Sequence, residues 1–96
     1  MPVAIVMEFP GGTLEQYDQV IEKMGFEKGG TGAPGGHFHW VTQTDDGLLV
    51  TDVWETREQF EQFSEAQIGP YSQQVGITAP PQMTRHQVHN HLVTAG

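Results

Sequence analysis

Five histidines are the residues of this sequence best suited to chemistry: His37, His39, His86, His89 and His91. An imidazole exchanges a proton near neutral pH and, when neutral, ligates divalent metals. His37 and His39 fall in one β-rich run, and the other three fall in a second run near the C-terminus. Side chains two apart on a strand share a face, so His37 goes with His39 and His89 with His91. In the sheet derived below these strands occupy opposite edges, about 14 Å apart at roughly 4.8 Å per strand. No ion is therefore shared within one chain, and only across a dimer could the two edges adjoin. A His-x-His near a strand end is more economically a solvated edge, and no metal is expected.

His39 and Asp52 form a sharper pair, because both lie inside strands that a hairpin would bring together. A histidine held by a carboxylate can act as general base on a phenol or an enolisable carbonyl. Which face they occupy depends on the turn. With a loop of Asp46-Gly47 alone, His39 opposes Trp54 and shares a face with Asp52; with Asp45 also in the loop, Trp40 opposes Asp52 and His39 moves to the other face. The catalytic candidates are thus His39, with Asp52 and Trp54 supporting it. The competing structural explanation is a charged residue at a dimer contact beside a satisfied histidine. Candidate pocket residues are Tyr17, Trp40, Phe60, Phe63, Tyr71 and His89. A small domain needs most of its aromatic residues for core, and Tyr17 and Tyr71 suit a wet rim because a phenol tolerates one. Asn90, next to His89, would point to the opposite face of its strand.

The elements that must position these residues follow from local signals. Val3 to Glu8 reads as a strand that stops at Pro10-Gly11-Gly12. Thr13 and Gln16 form a capping box, and Leu14, Tyr17, Val20, Ile21 and Met24 recur at helical spacing before Gly25. The glycine-rich segment 29–36 lacks the Lys-Ser/Thr of a phosphate loop and reads as a surface loop. His37 to Thr44 and Leu48 to Glu55 form a hairpin about Asp45-Asp46-Gly47. Thr56 caps a second helix, again with a capping-box residue at Gln59. Its inner edge is Phe60, Phe63 and Ala66 or Gln67; Gly69-Pro70 interrupts it, and Tyr71 to Val75 continues as a last turn or forms a short separate helix before Gly76. After Pro80-Pro81, Gln82 to Val93 reads as the last strand. The order βαββαβ predicts an α+β, ferredoxin-like domain over residues 1–96, with a four-stranded antiparallel sheet in the order 4-1-3-2 and both helices on one face.

Composition bounds the partners. Four Lys or Arg against twelve Asp or Glu give a formal net charge of −8, which repels nucleic-acid phosphates and anionic membranes. Cysteine is absent, which excludes disulfides, thiolate nucleophiles and Cys-ligated metals. The short apolar run after Met1 has no basic region before it and reads as neither signal peptide nor membrane span, so a cytoplasmic location is the expectation. A sheet with helices on one face only leaves its other face in need of cover, and a homodimer is expected.

Gly36, Asp45-Asp46-Gly47, Val50-Thr51-Asp52-Val53-Trp54-Glu55-Thr56-Arg57-Glu58-Gln59-Phe60, Ile68-Gly69-Pro70 and Val88-His89-Asn90 resemble small bacterial members of the dimeric α+β barrel superfamily, close to the antibiotic biosynthesis monooxygenases. The resemblance covers nearly the whole chain and implies two chains packing the open faces of their sheets together, with a pocket in each between sheet and helices. It also implies an enzyme that needs no cofactor, a monooxygenase, cyclase or isomerase in which Asn, Trp and His or Tyr residues orient an aromatic or polyketide-type substrate. Haem-degrading relatives hold iron through a histidine on the second helix, and Arg57 to Gln67 contains none. The alternatives are a homodimer that binds a small ligand without turnover, and a purely structural one.

Overall fold

The computed structural model describes residues 1–92 and contains four strands, β1 (Val3–Pro10), β2 (Gly36–Gln43), β3 (Gly47–Trp54) and β4 (Gln82–Gln87). They form one antiparallel sheet in the order β2-β3-β1-β4, the expected arrangement. Strand β3 reads GLLVTDVW, and its alternation buries Leu48, Val50, Asp52 and Trp54 on one face. Beside it, β1 buries Ile5, Met7 and Phe9 on the same face. Helix α1 (Leu14–Met24) covers this face, with Val20 buried and Tyr17 packed at the edge of the core. Its N-terminus is the expected capping box: Gln16 N donates to Thr13 Oγ1 at 3.2 Å, and Thr13 N donates to Gln16 Oε1 at 3.0 Å. Gly25 ends it at φ 83, a left-handed conformation that costs a glycine little.

The second helical region continues past Pro70, as one expectation had it, but without the interruption. Gly69-Pro70 does not break it; α2 (Arg57–Phe63) passes through a π-helical turn (Ser64–Ile68) into α3 (Gly69–Gln74). Gly69 N bonds to Ser64 O, five residues back, and the wide turn accommodates a proline that has no N–H to give. The extra residue rotates the inner edge, so Ile68 joins the core beside Phe60 and Phe63 while Ala66 is exposed. The cap is also simpler than expected. Gln59 N donates to Thr56 Oγ1 at 3.2 Å, but Gln59 Oε1 accepts from the Thr56 hydroxyl.

The hairpin register matches neither alternative drawn from the sequence. Gln43 pairs with Leu48 across residues 44–47, and His39 pairs directly with Asp52. Thr44 sets this turn: its Oγ1 and backbone O both accept from Gly47 N, and Thr44 N donates to Gly47 O at 2.7 Å. Gly47 has φ 153, and a Cβ there would sit 2.1 Å from Phe9 O, so β1 and β3 close only over a glycine. A bulge between Gly36 and Phe38 takes His37 out of the ladder, while His39 stays paired with Asp52.

The last strand ends at Gln87 rather than running on to Val93, which lies outside the described residues. Val88 N donates to Pro2 O, and the chain then leaves the sheet. His91 ends with its ring centroid 5.1 Å from that of His37. The sheet-edge argument that kept these two apart within one chain therefore fails, because it placed His91 on β4.

Candidate functional site

His39 lies at the middle of β2 on the helix-covered face, directly opposite Asp52 of β3. Asp52 is a buried carboxylate, only 4% exposed, so its oxygens require partners. Trp54, two residues on and on the same face, donates its indole N–H to Asp52 Oδ2 at 3.0 Å. Asp52 Oδ1 lies 2.5 Å from His39 Nδ1. From the helix side, the Tyr17 hydroxyl reaches His39 Nε2, and the two rings lie nearly parallel, 9° apart. The result is a chain of contacts from Trp54 through Asp52 and His39 to Tyr17. No buried side-chain nitrogen or oxygen among the described residues lacks a partner.

The direction of these bonds follows from the partners. Indole nitrogen only donates and a carboxylate only accepts, so Asp52 accepts from both Trp54 and the His39 Nδ1–H. That leaves Nε2 of a neutral imidazole as an acceptor, and the Tyr17 O–H donates to it. Burial, helped by the negative charges of Asp52 and Asp18, pushes the Tyr17 phenol up to about 12. It is a protonated donor throughout the physiological range.

Trp54 is anchored by the core. Its ring meets Phe60 at 5.9 Å between centroids and Phe63 at 5.2 Å, so the indole that holds Asp52 is fixed by packing from α2.

The site opens into a cavity of about 710 Å³ between sheet and helices, within the range of small-molecule pockets. Tyr17, Val20 and Met24 of α1, Val50 of β3, and Phe63 and Ile68 form much of its wall. Gly29, Gly30 and Gly32 also line it, so the segment read as a bland surface loop closes one side of the cavity. Its position was hinted at by its place in the chain, since it joins α1 to β2, the two elements that carry Tyr17 and His39.

Of the expected pocket residues, Tyr17 and Phe63 line the cavity. Trp40 borders it from β2 but alternates with His39 and pairs with Thr51, so its side chain belongs to the outer face, where it is 42% exposed. Phe60 is core, 1% exposed, and does not line the cavity. Neither does Tyr71, half-buried on α3. His89 is exposed beyond the end of β4 and is also outside the lining, as is Asn90, so the argument from strand alternation does not apply to them. His37 borders the cavity but turns its Nε2 to Glu55 Oε2, 2.5 Å away. Among the described residues there is no group of three or more His, Asp or Glu placed to hold a metal ion, and no helix is long and apolar enough to cross a membrane.

The contact between Tyr17 and His39 is set by the angle at which α1 crosses β2, which leaves no local mark in the sequence.

Among solved structures the chain is similar to a protein of Chloroflexus aurantiacus J-10-fl assigned as an antibiotic biosynthesis monooxygenase. Identity is 18% and the TM-score 0.62, over 98% of this chain and 100% of the other. The chain resembles these oxygenases in fold. The ActVA-Orf6 monooxygenase of Streptomyces coelicolor, solved with Nanaomycin D, gives 16% identity and a TM-score of 0.57 over 98% and 92% of the two chains. SnoaB, a cofactor-independent oxygenase of Streptomyces nogalater, gives 14% and 0.56 over 95% of each. No family model and no curated protein matches the chain.

Proposed function

We propose that this protein is a small-molecule enzyme that removes a proton from an aromatic or polyketide-type substrate and delivers the resulting anion to oxygenation, with cyclisation or isomerisation as related outcomes. The observation that carries this reading is a histidine backed by a buried carboxylate and facing a cavity of substrate size. His39 is the general base. Asp52 fixes its tautomer and stabilises the imidazolium, and Trp54 fixes Asp52. Phenols and enols become far more electron-rich on losing a proton, and oxygen is reduced by such anions without a bound cofactor. The fold likeness to a cofactor-independent oxygenase supports the same reading.

The enzyme is further proposed to work as a homodimer. On the outer sheet face Phe38 is 57% exposed and Trp40 42%, beside Val6, Leu49 and Val53, which is an apolar face without cover in one chain.

The test is oxygen uptake by the purified protein on 1,8-dihydroxyanthrone and on naphthohydroquinones. Wild-type protein should accelerate uptake, and His39→Ala should lose about 10²- to 10⁴-fold of that rate while keeping its melting temperature. No acceleration with any of these aromatic alcohols, or full activity in His39→Ala, would overturn the reading.

A further inference from the structure

We propose that Tyr17 is the residue that touches the substrate's reacting hydroxyl, and that His39 takes the proton through it, so that the substrate is one whose acidic proton sits on oxygen. This deepens the reading of His39 as base and rests on it. The basis is an obstruction: the one free lone pair of the imidazole, on Nε2, is already occupied by the Tyr17 hydroxyl. A substrate proton must therefore either displace that hydroxyl or travel through it.

Displacement is costly here. Tyr17 is packed against the hydrophobic core from α1, whose N-terminus is secured by a capping box and whose first turn is tied to β2 by a bond from Leu14 N to Gln43 Oε1 at 3.1 Å. Its hydroxyl is held between that anchorage and His39. Passage through Tyr17 requires no movement of α1. The phenol donates its hydrogen to Nε2 and keeps its oxygen lone pairs free to accept a hydrogen bond from a ligand in the cavity it lines.

The step then balances. The substrate O–H bond breaks as its proton bonds to the Tyr17 oxygen, and the original Tyr17 O–H bond breaks as that proton bonds to His39 Nε2. The electron pair of the substrate O–H bond stays on the substrate oxygen. Tyr17 ends as it began, a neutral phenol, and the imidazolium is held by Asp52. Because the two transfers are coupled, no free tyrosinate is formed, which suits a phenol pushed up to about 12. A C–H acid would lack the lone pairs and short hydrogen bond needed to enter such a relay, so the site selects phenols, naphthols and enols.

The experiment uses a coloured probe, 4-nitro-1-naphthol, whose naphtholate absorbs in the visible, at a pH below the probe's own pKa. Wild-type protein should bind it as the anion. Tyr17→Phe and His39→Gln should each still bind it, but with the ionisation constant of the bound probe lowered about tenfold or more. Tyr17→Leu is carried alongside, with melting temperatures, so that loss of fold in one variant still leaves the hydroxyl tested. If Tyr17→Phe and Tyr17→Leu ionise the probe as wild type does while His39→Gln does not, the relay is overturned and His39 acts directly. If wild type fails to bind the probe, or His39→Gln ionises it unchanged, both the relay and the function it rests on are overturned.

Discussion

At the scale of single residues, the site depends on which atom of His39 carries a proton, and Asp52 decides that. Asp52→Asn keeps an acceptor for the Trp54 indole but turns an amide N–H₂ toward His39 Nδ1. The imidazole then carries its hydrogen on Nε2 and cannot accept from Tyr17. Turnover should fall by about 10²- to 10⁴-fold with little change in fold, and ¹⁵N NMR of the ring should show the tautomer reversed. Tyr17 makes a second prediction. Its phenol is pushed up to about 12 from the ordinary 10.0, so its contribution to stability is complete below pH 10 and is lost as pH rises toward 12, where the folded state also ionises. Ultraviolet titration should show a late-ionising phenol that Tyr17→Phe removes, and the variant should lose less stability over that interval. Asp52 and Trp54 were legible as one face of a strand and His39 as a residue of the strand facing it, because two strands and a turn are written locally. Tyr17 was legible only as a rim aromatic, since its partner is 22 positions away along the chain.

Among the elements, the hairpin does the most for the site, because its register alone brings His39 opposite Asp52. The strands were readable from alternation and the turn from Asp45-Asp46-Gly47. The pairing was not, because it depends on how Thr44 and Gly47 bond to each other across the turn. Gly47→Ala must move Phe9 O or open the turn. It should lower stability by about 1 to 3 kcal/mol in thermal or urea melts, with activity falling further than stability because a register slip separates His39 from Asp52. The helix after the hairpin shows the opposite case. Gly69-Pro70 is a strong breaker on local grounds, yet burial of Phe60, Phe63 and Ile68 keeps the chain helical through a π turn. Tertiary packing overrode a local signal there.

On the scale of the molecule, the outer sheet face carries the remaining prediction. Replacing Phe38 and Trp40 together by Glu places charge on an apolar face that alternates away from the cavity. Sedimentation velocity should find dimer for the wild type and monomer for the double variant, and a wild-type monomer at micromolar concentration would refute the assembly. The sheet order was legible because four strands and two crossovers of fixed hand leave few compact solutions. The cavity was not, because its volume depends on segments without periodicity. One of these, the glycine stretch beside Tyr17 and His39, bears on how the proposed enzyme would change its range of substrates. At Gly32 an added Cβ would meet nothing within 4 Å, although the residue lines the cavity. Side chains introduced there would narrow the site without straining the sheet or entering the core. Laboratory evolution aimed at new aromatic specificities therefore has a starting position that the fold leaves open, separate from Tyr17 and His39 of the proposed relay and from Asp52 and Trp54 behind them.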